Sequence, residues 1–190
     1  MALREYLDSY IPVNSQEEND LKVMKDFYST YKNNSLSREN KIAHFSASCW
    51  IANKDFTKIL MGYHLIYDNW GWLGGHADGM DDLLLRATLE AQEESGLKTV
   101  KPYFDYPISV EILPVTYHYK KGNFVNSHLH LNFTFLFTAD ENELLLYNPN
   151  EHNGLKWVNI GDVLSSTNEE CMKPIYKKLN DFILNNINNI

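Results

Sequence analysis

The chain has 190 residues, enough for one domain with a sizeable core and some decoration. An apolar fraction of 44% with 13% aromatics excludes disorder over most of that length. A formal net charge of −8, with no basic run denser than Lys120-Lys121 or Lys177-Lys178, argues against nucleic-acid partners, whose backbones select for clustered cations.

Residues 1–36 read as an N-terminal helical extension. Leu21, Met24, Phe27, Tyr28 and Tyr31 recur at three- and four-residue intervals, and Ser15 followed by Glu17-Glu18 suits a helix start. A lid, a homodimer contact and a cover for the core are its open roles. Strand signals begin at His44. Residues 45–51 and 58–65 flank a turn at Asn53-Lys54-Asp55, and Trp70-Gly71-Trp72-Leu73 then leads to Gly74-Gly75. Residues 83–95 read as a helix, with Asp81 or Asp82 before it as N-cap and Gly96 behind it as the C′ residue. Residues 108–113 and 129–137 are strands whose partial alternation suits a sheet covered on both faces. A short strand at 156–158, a short helix at 161–164 and a longer one at 169–186 follow, with a frayed end at 185–190. Strands with helices before, between and after them predict an α/β sandwich. No stretch approaches membrane-spanning length, and residues 1–6 carry no apolar leader core, so no membrane partner and a cytoplasmic location are expected. Cys49 and Cys171 lack metal-ligand spacing and read as free thiols of a reducing compartment.

The helix at 83–95 carries the chemistry. Glu90, Glu93 and Glu94 share one face, while Leu84, Ala87 and Ala91 fall on another and pack inward. Each like-charge pair costs roughly 0.2–0.5 kcal/mol. The negative end of the helix dipole adds roughly 0.3–1 kcal/mol per charge. A divalent cation on hard oxygen ligands removes both costs, and Mg2+ or Mn2+ suits carboxylates beside a phosphate. Taken by itself, Glu-x-x-Glu-Glu is equally an ordinary solvated acidic face.

The residues around it extend the pattern. Gly75 is followed after five residues by Asp81 and after seven more by Leu89, and Glu90-Ala91-Gln92-Glu93-Glu94-Ser95-Gly96-Leu97 completes it. This segment resembles the Nudix box, G-x5-E-x7-R-E-U-x-E-E-x-G-U with U apolar. Two positions depart from it: Asp81 stands in place of Glu, and Leu89 in place of the Arg that braces the acidic cluster. Arg86, one turn before Glu90 on the carboxylate side, either supplies the missing charge or is an exposed helix arginine. The resemblance runs from about His44 to Leu164. It implies a Nudix-like α/β/α sandwich with a mixed sheet over residues 37–190, closed by a C-terminal helix.

The resemblance further implies Glu90 and Glu94 as ligands of Mg2+ or Mn2+, Glu93 sharing a second ion, and the Gly75 carbonyl completing the shell. Asp81 is read as the N-cap in preference to a weaker ligand. The implied reaction is metal-dependent hydrolysis of a phosphoanhydride in a small-molecule substrate, a nucleoside diphosphate linked to another group. Glu94 or Glu93 takes the proton, or else a base from outside the box, for which Glu111, Glu141, Glu143 and Glu151 are unranked. The alternative, favoured by Leu89, is a non-catalytic nucleotide-sensing module on the same fold. Prenyl diphosphate isomerisation is weaker, because no Cys or Glu can be placed for it.

Substrate contacts are proposed for four further residues. His128 and His130, with Asn132, share one face of a strand. They pair on a metal, touch phosphate or base, or pack in the sheet, and two ligands alone do not make a site. His76, beside the glycines, donates to a phosphate or stabilises its loop. Trp70, like Trp72 and Tyr119, stacks on a base or sits in the core.

Overall fold

The computed structural model describes residues 1–120 and 122–187. Lys121 of the basic pair and the last three residues of the terminal run expected to fray lie outside them.

Two helices come first, α1 (Leu3–Ser9) and α2 (Ser15–Tyr31). The cap of α2 is Asn14, one residue before the expected Ser15, and its side chain accepts from the Glu17 amide. The break between the helices falls around Pro12, which carries no amide proton to continue a helix. A 3-10 turn at Lys32–Leu36 leads to β1 (Ala43–Asn53), which is buried at every position. β2 (Lys58–His64), β3 (Asn69–Gly71) and β4 (Leu73–His76) follow, then α3 (Leu83–Ser95). β5 (Lys101–Pro102) and β6 (Ser109–Val115) precede a separate hairpin of β7 (His118–Lys120) and β8 (Asn123–Val125). β9 (His128–Ala139), β10 (His152–Asn159), α4 (Val163–Ser166) and α5 (Lys173–Asn186) complete the order. The expected helix at 169–186 starts later, because Pro174 is tolerated only in a first turn.

The sheet runs β10-β2-β1-β9-β5, with β3 on β2, β4 on β1 and β6 on β9. It is mixed: β1 and β9 are parallel, and the other pairs are antiparallel. Alternation along the central strands divides the apolar residues into two cores. Phe45, Cys49 and Ile51 of β1 and Phe133 and Phe135 of β9 meet Tyr6 and Met24 from α1 and α2, and Ala87 and Ala91 from α3. On the other face Trp50, Ala52 and Leu136 meet Tyr176, Leu179 and Ile183 of α5. The result is the expected α/β/α sandwich.

One buried ion cluster ties α5 to the front of the chain. Lys178 Nζ lies 2.7 Å from Glu17 Oε1 of α2 and 2.9 Å from Glu111 Oε1 of β6. Both carboxylates are at most 1% exposed.

Candidate active site

Helix α3 begins where Asp82, the second of the two candidate caps, accepts from the Leu85 amide at 3.1 Å; Asp81 is exposed and does not cap the helix. It ends at Gly96, whose φ of 70° is left-handed and whose N–H reaches the Gln92 carbonyl. Its apolar side presses Leu83, Ala87 and Ala91 into the sheet, and this rotates Glu90 and Glu94 onto the glycine strand β4. The two carboxylates are only 6% and 4% exposed, so this helix does not present an ordinary solvated acidic face. Glu93 does face solvent.

Each buried carboxylate has particular partners. Glu94 Oε2 accepts the Gly74 amide at 2.8 Å, and His152 Nε2 of β10 lies 3.3 Å from Glu94 Oε1. Glu90 rests against the Gly75 backbone so closely that an added Cβ would overlap its carboxylate. Arg86 donates from Nη2 to Glu90 and from Nε to the His76 carbonyl at 3.0 Å, and its side chain is largely buried. The reading of Arg86 as an exposed surface residue therefore fails.

The electrostatics follow. Burial, then the neighbouring Glu94, push the Glu90 carboxyl up to about 7, although Arg86 opposes them. Burial also raises Glu94 against the neighbouring His152 and the Gly74 hydrogen bond. Glu151 adds negative charge at both. Of the four outside carboxylates, Glu151 is the one whose charge reaches this pair. Glu111 belongs to the Lys178 cluster, Glu141 pairs with Lys58, and Glu143 accepts from the Lys98 and Thr99 amides. Two crowded, under-neutralised carboxylates against a glycine backbone are a hard-oxygen donor set that fits Mg2+ or Mn2+.

On the opposite face of the same strands, His76, His128 and His130 converge with His44, which the sequence reading did not single out. The parallel register sets His44 beside His130, and the antiparallel one sets Ser46 beside His76. The expected aromatic contacts are dispersed. Trp70 packs between Lys156, whose Nζ is 4.0 Å from the ring centroid, and the edge of Tyr63. Trp72 lies against Tyr176 at the α5 core, and Tyr119 is exposed on the β7–β8 hairpin.

No family model matches the sequence, and no curated protein matches it significantly. Solved structures do. An Ap4A hydrolase of C. elegans in a binary complex is 18% identical with a TM-score of 0.55, over 74% of this chain and 98% of that one. A NUDIX-family hydrolase from Clostridium perfringens is 23% identical with a TM-score of 0.53, over 74% and 97%. A dihydroneopterin triphosphate pyrophosphohydrolase of E. coli is 16% identical with a TM-score of 0.52, over 74% and 95%. The chain has the fold of the Nudix hydrolases.

Proposed function

We propose that this chain is a Nudix-type pyrophosphohydrolase, dependent on Mg2+ or Mn2+, that cleaves a phosphoanhydride in a nucleoside diphosphate linked to another group. The observation that carries the reading is the buried Glu90–Glu94 pair seated on Gly74-Gly75, raised in pKa and incompletely neutralised by Arg86. Glu90, Glu94 and the Gly75 carbonyl would hold the ion, with Glu93 on the solvent side toward a second. When bound, the ion supplies charge neutralisation on the phosphate oxygens and acidifies water for attack on phosphorus.

The side chains divide the remaining work. Gly74 and His152 fix the Glu94 carboxylate, while Arg86 fixes that of Glu90 and the strand end at His76. The attacking water forms a new P–O bond as the bridging P–O bond breaks. Its proton would pass to a carboxylate, for which Glu93 and Glu151 are the candidates once Glu94 is engaged. His76, the next residue after the glycines, turns to the opposite face, where its ring meets His44 and His130, and takes no part in phosphate contact.

The test is phosphate release from nucleotide sugars, dinucleoside polyphosphates, dinucleotides and nucleoside triphosphates, with and without Mn2+. Hydrolysis of one class that Glu94→Gln lowers by orders of magnitude is expected. Tight nucleotide binding without turnover would overturn the enzyme reading in favour of a sensing module.

A further inference from the structure

We propose that His44, His76, His128 and His130 form a separate metal centre that binds a late first-row divalent cation, Zn2+ foremost, through four imidazole nitrogens. One ligand atom from each lies within 4.8 Å of the others. A zinc ion with Zn–N bonds of about 2.0–2.1 Å needs tetrahedral N···N edges of about 3.3 Å. His128 Nε2 and His130 Nε2 already stand 3.2 Å apart. Contraction of the widest pair from 4.8 Å by about 1.5 Å closes the shell, within reach of small ring rotations.

The supporting hydrogen bonds select the ligating tautomer. His44 Nδ1 faces the Asn40 carbonyl at 3.2 Å, and His128 Nδ1 faces the Asn126 carbonyl at 2.8 Å. A carbonyl only accepts, so each Nδ1 carries the proton and each Nε2 keeps its lone pair. Carbonyl-oriented imidazoles of this kind are the usual second support of a metal-bound histidine. His44 is 3% exposed, and its Nε2 has no hydrogen-bond partner among the described residues. A buried lone pair without a partner is costly, and a cation would satisfy it. Nitrogen donors suit Zn2+ and its neighbours better than Mg2+ or Mn2+.

This centre is distinct from the carboxylate pair and does not rest on the hydrolase reading. Gly75 abuts Glu90, whereas His76, the next residue, joins the histidines, because successive strand residues face opposite sides. Four protein ligands close the shell, as in structural zinc sites. The ion would clamp the ends of β1, β4 and β9 behind the acidic pair.

Untagged protein, stripped with a chelator and kept in millimolar Mg2+, should take up one Zn2+ per chain in competition with a chromophoric chelator. Co2+ should give the strong visible bands of tetrahedral coordination. The double substitution His128→Ala/His130→Ala should lower Zn2+ affinity by roughly 100-fold or more and abolish those bands. Glu90→Gln/Glu94→Gln should leave both intact. If the double histidine variant does not fold, the partly exposed His128→Ala alone should weaken and shift the Co2+ spectrum. Wild-type protein that binds no Zn2+, gives only the weak octahedral Co2+ spectrum, or loses Zn2+ through the glutamate substitutions would overturn the proposal.

Discussion

Arg86 and Glu90 stand one helical turn apart, and the guanidinium of the first is shared between the carboxylate of the second and the His76 carbonyl. Arg86 thus sets a cation against Glu90 three residues before the place of the box arginine, and Leu89 is half-buried on α3. Its second hydrogen bond ties the helix to the end of β4.

Arg86→Ala should therefore lower turnover about tenfold or more, because Glu90 loses its orientation and the strand end loses its tether. Leu89→Arg should restore part of that loss. A double-mutant cycle reads the coupling as about 0.5–3 kcal/mol. Full additivity with a harmless Arg86→Ala would mean that the site needs no bracing cation.

The raised Glu90 carboxyl sets a pH dependence for the metal-free protein. Its folded pKa of about 7 lies above the ordinary 4.5, so the native state holds the proton more tightly than the unfolded chain between those values. Stability should be highest below about pH 4.5 as far as this group is concerned, and fall as pH rises to 7. The loss is on the order of 3 kcal/mol at most. Glu90→Gln should flatten that part of the profile in chemical denaturation, and millimolar Mn2+ should oppose the decline by favouring the ionised form.

Gly75→Ala places a methyl group where the Glu90 carboxylate sits. The carboxylate is expected to swing away, so Mn2+ should no longer raise the melting temperature while the far-UV spectrum is kept. Retention of the full Mn2+ shift would show that Glu90 ligates from elsewhere.

Lys178→Met removes the cation that bridges Glu17 and Glu111. Breaking a buried ion cluster from one side costs roughly 3–5 kcal/mol, because the partners remain uncompensated. At roughly 2–4 °C per kcal/mol for a chain of this size, the melting temperature should fall by about 10 °C. Lowering the pH should recover part of the loss as Glu111 protonates, since burial already raises its carboxyl.

Helix α3 was legible to its end residues because its signals are local: an acidic cap, a 3.6-residue apolar period and Gly96. The Arg86–Glu90 pairing was likewise visible as an i, i+4 spacing. The cap was narrowed only to Asp81 or Asp82, because adjacent Asp residues offer the same chemistry, and the structure places it at Asp82. What the sequence hid is non-local. His44 and His152 reach their sites through β1–β9 and β2–β10 pairing, and nothing in a linear pattern gives a register. For the same reason Glu151 could not be ranked above Glu111 before the sheet order was known. Trp70 looked available for stacking because its neighbour Lys156 comes from a strand 86 residues downstream.

The parallel pairing of Ala43–Asn53 with His128–Ala139 also governs how the molecule is made. Partner residues are 86 positions apart, so at about 5–20 residues per second a ribosome needs about 4–17 s to deliver the second strand after the first. During that interval β2 and β4 can already cover part of one edge of β1. The other edge, on a strand destined to be wholly buried, stays open to any extended chain nearby. Nascent chains arrested before residue 128 should be the most aggregation-prone species, and a holdase that masks that edge should raise the yield of folded protein more than any change near the acidic helix.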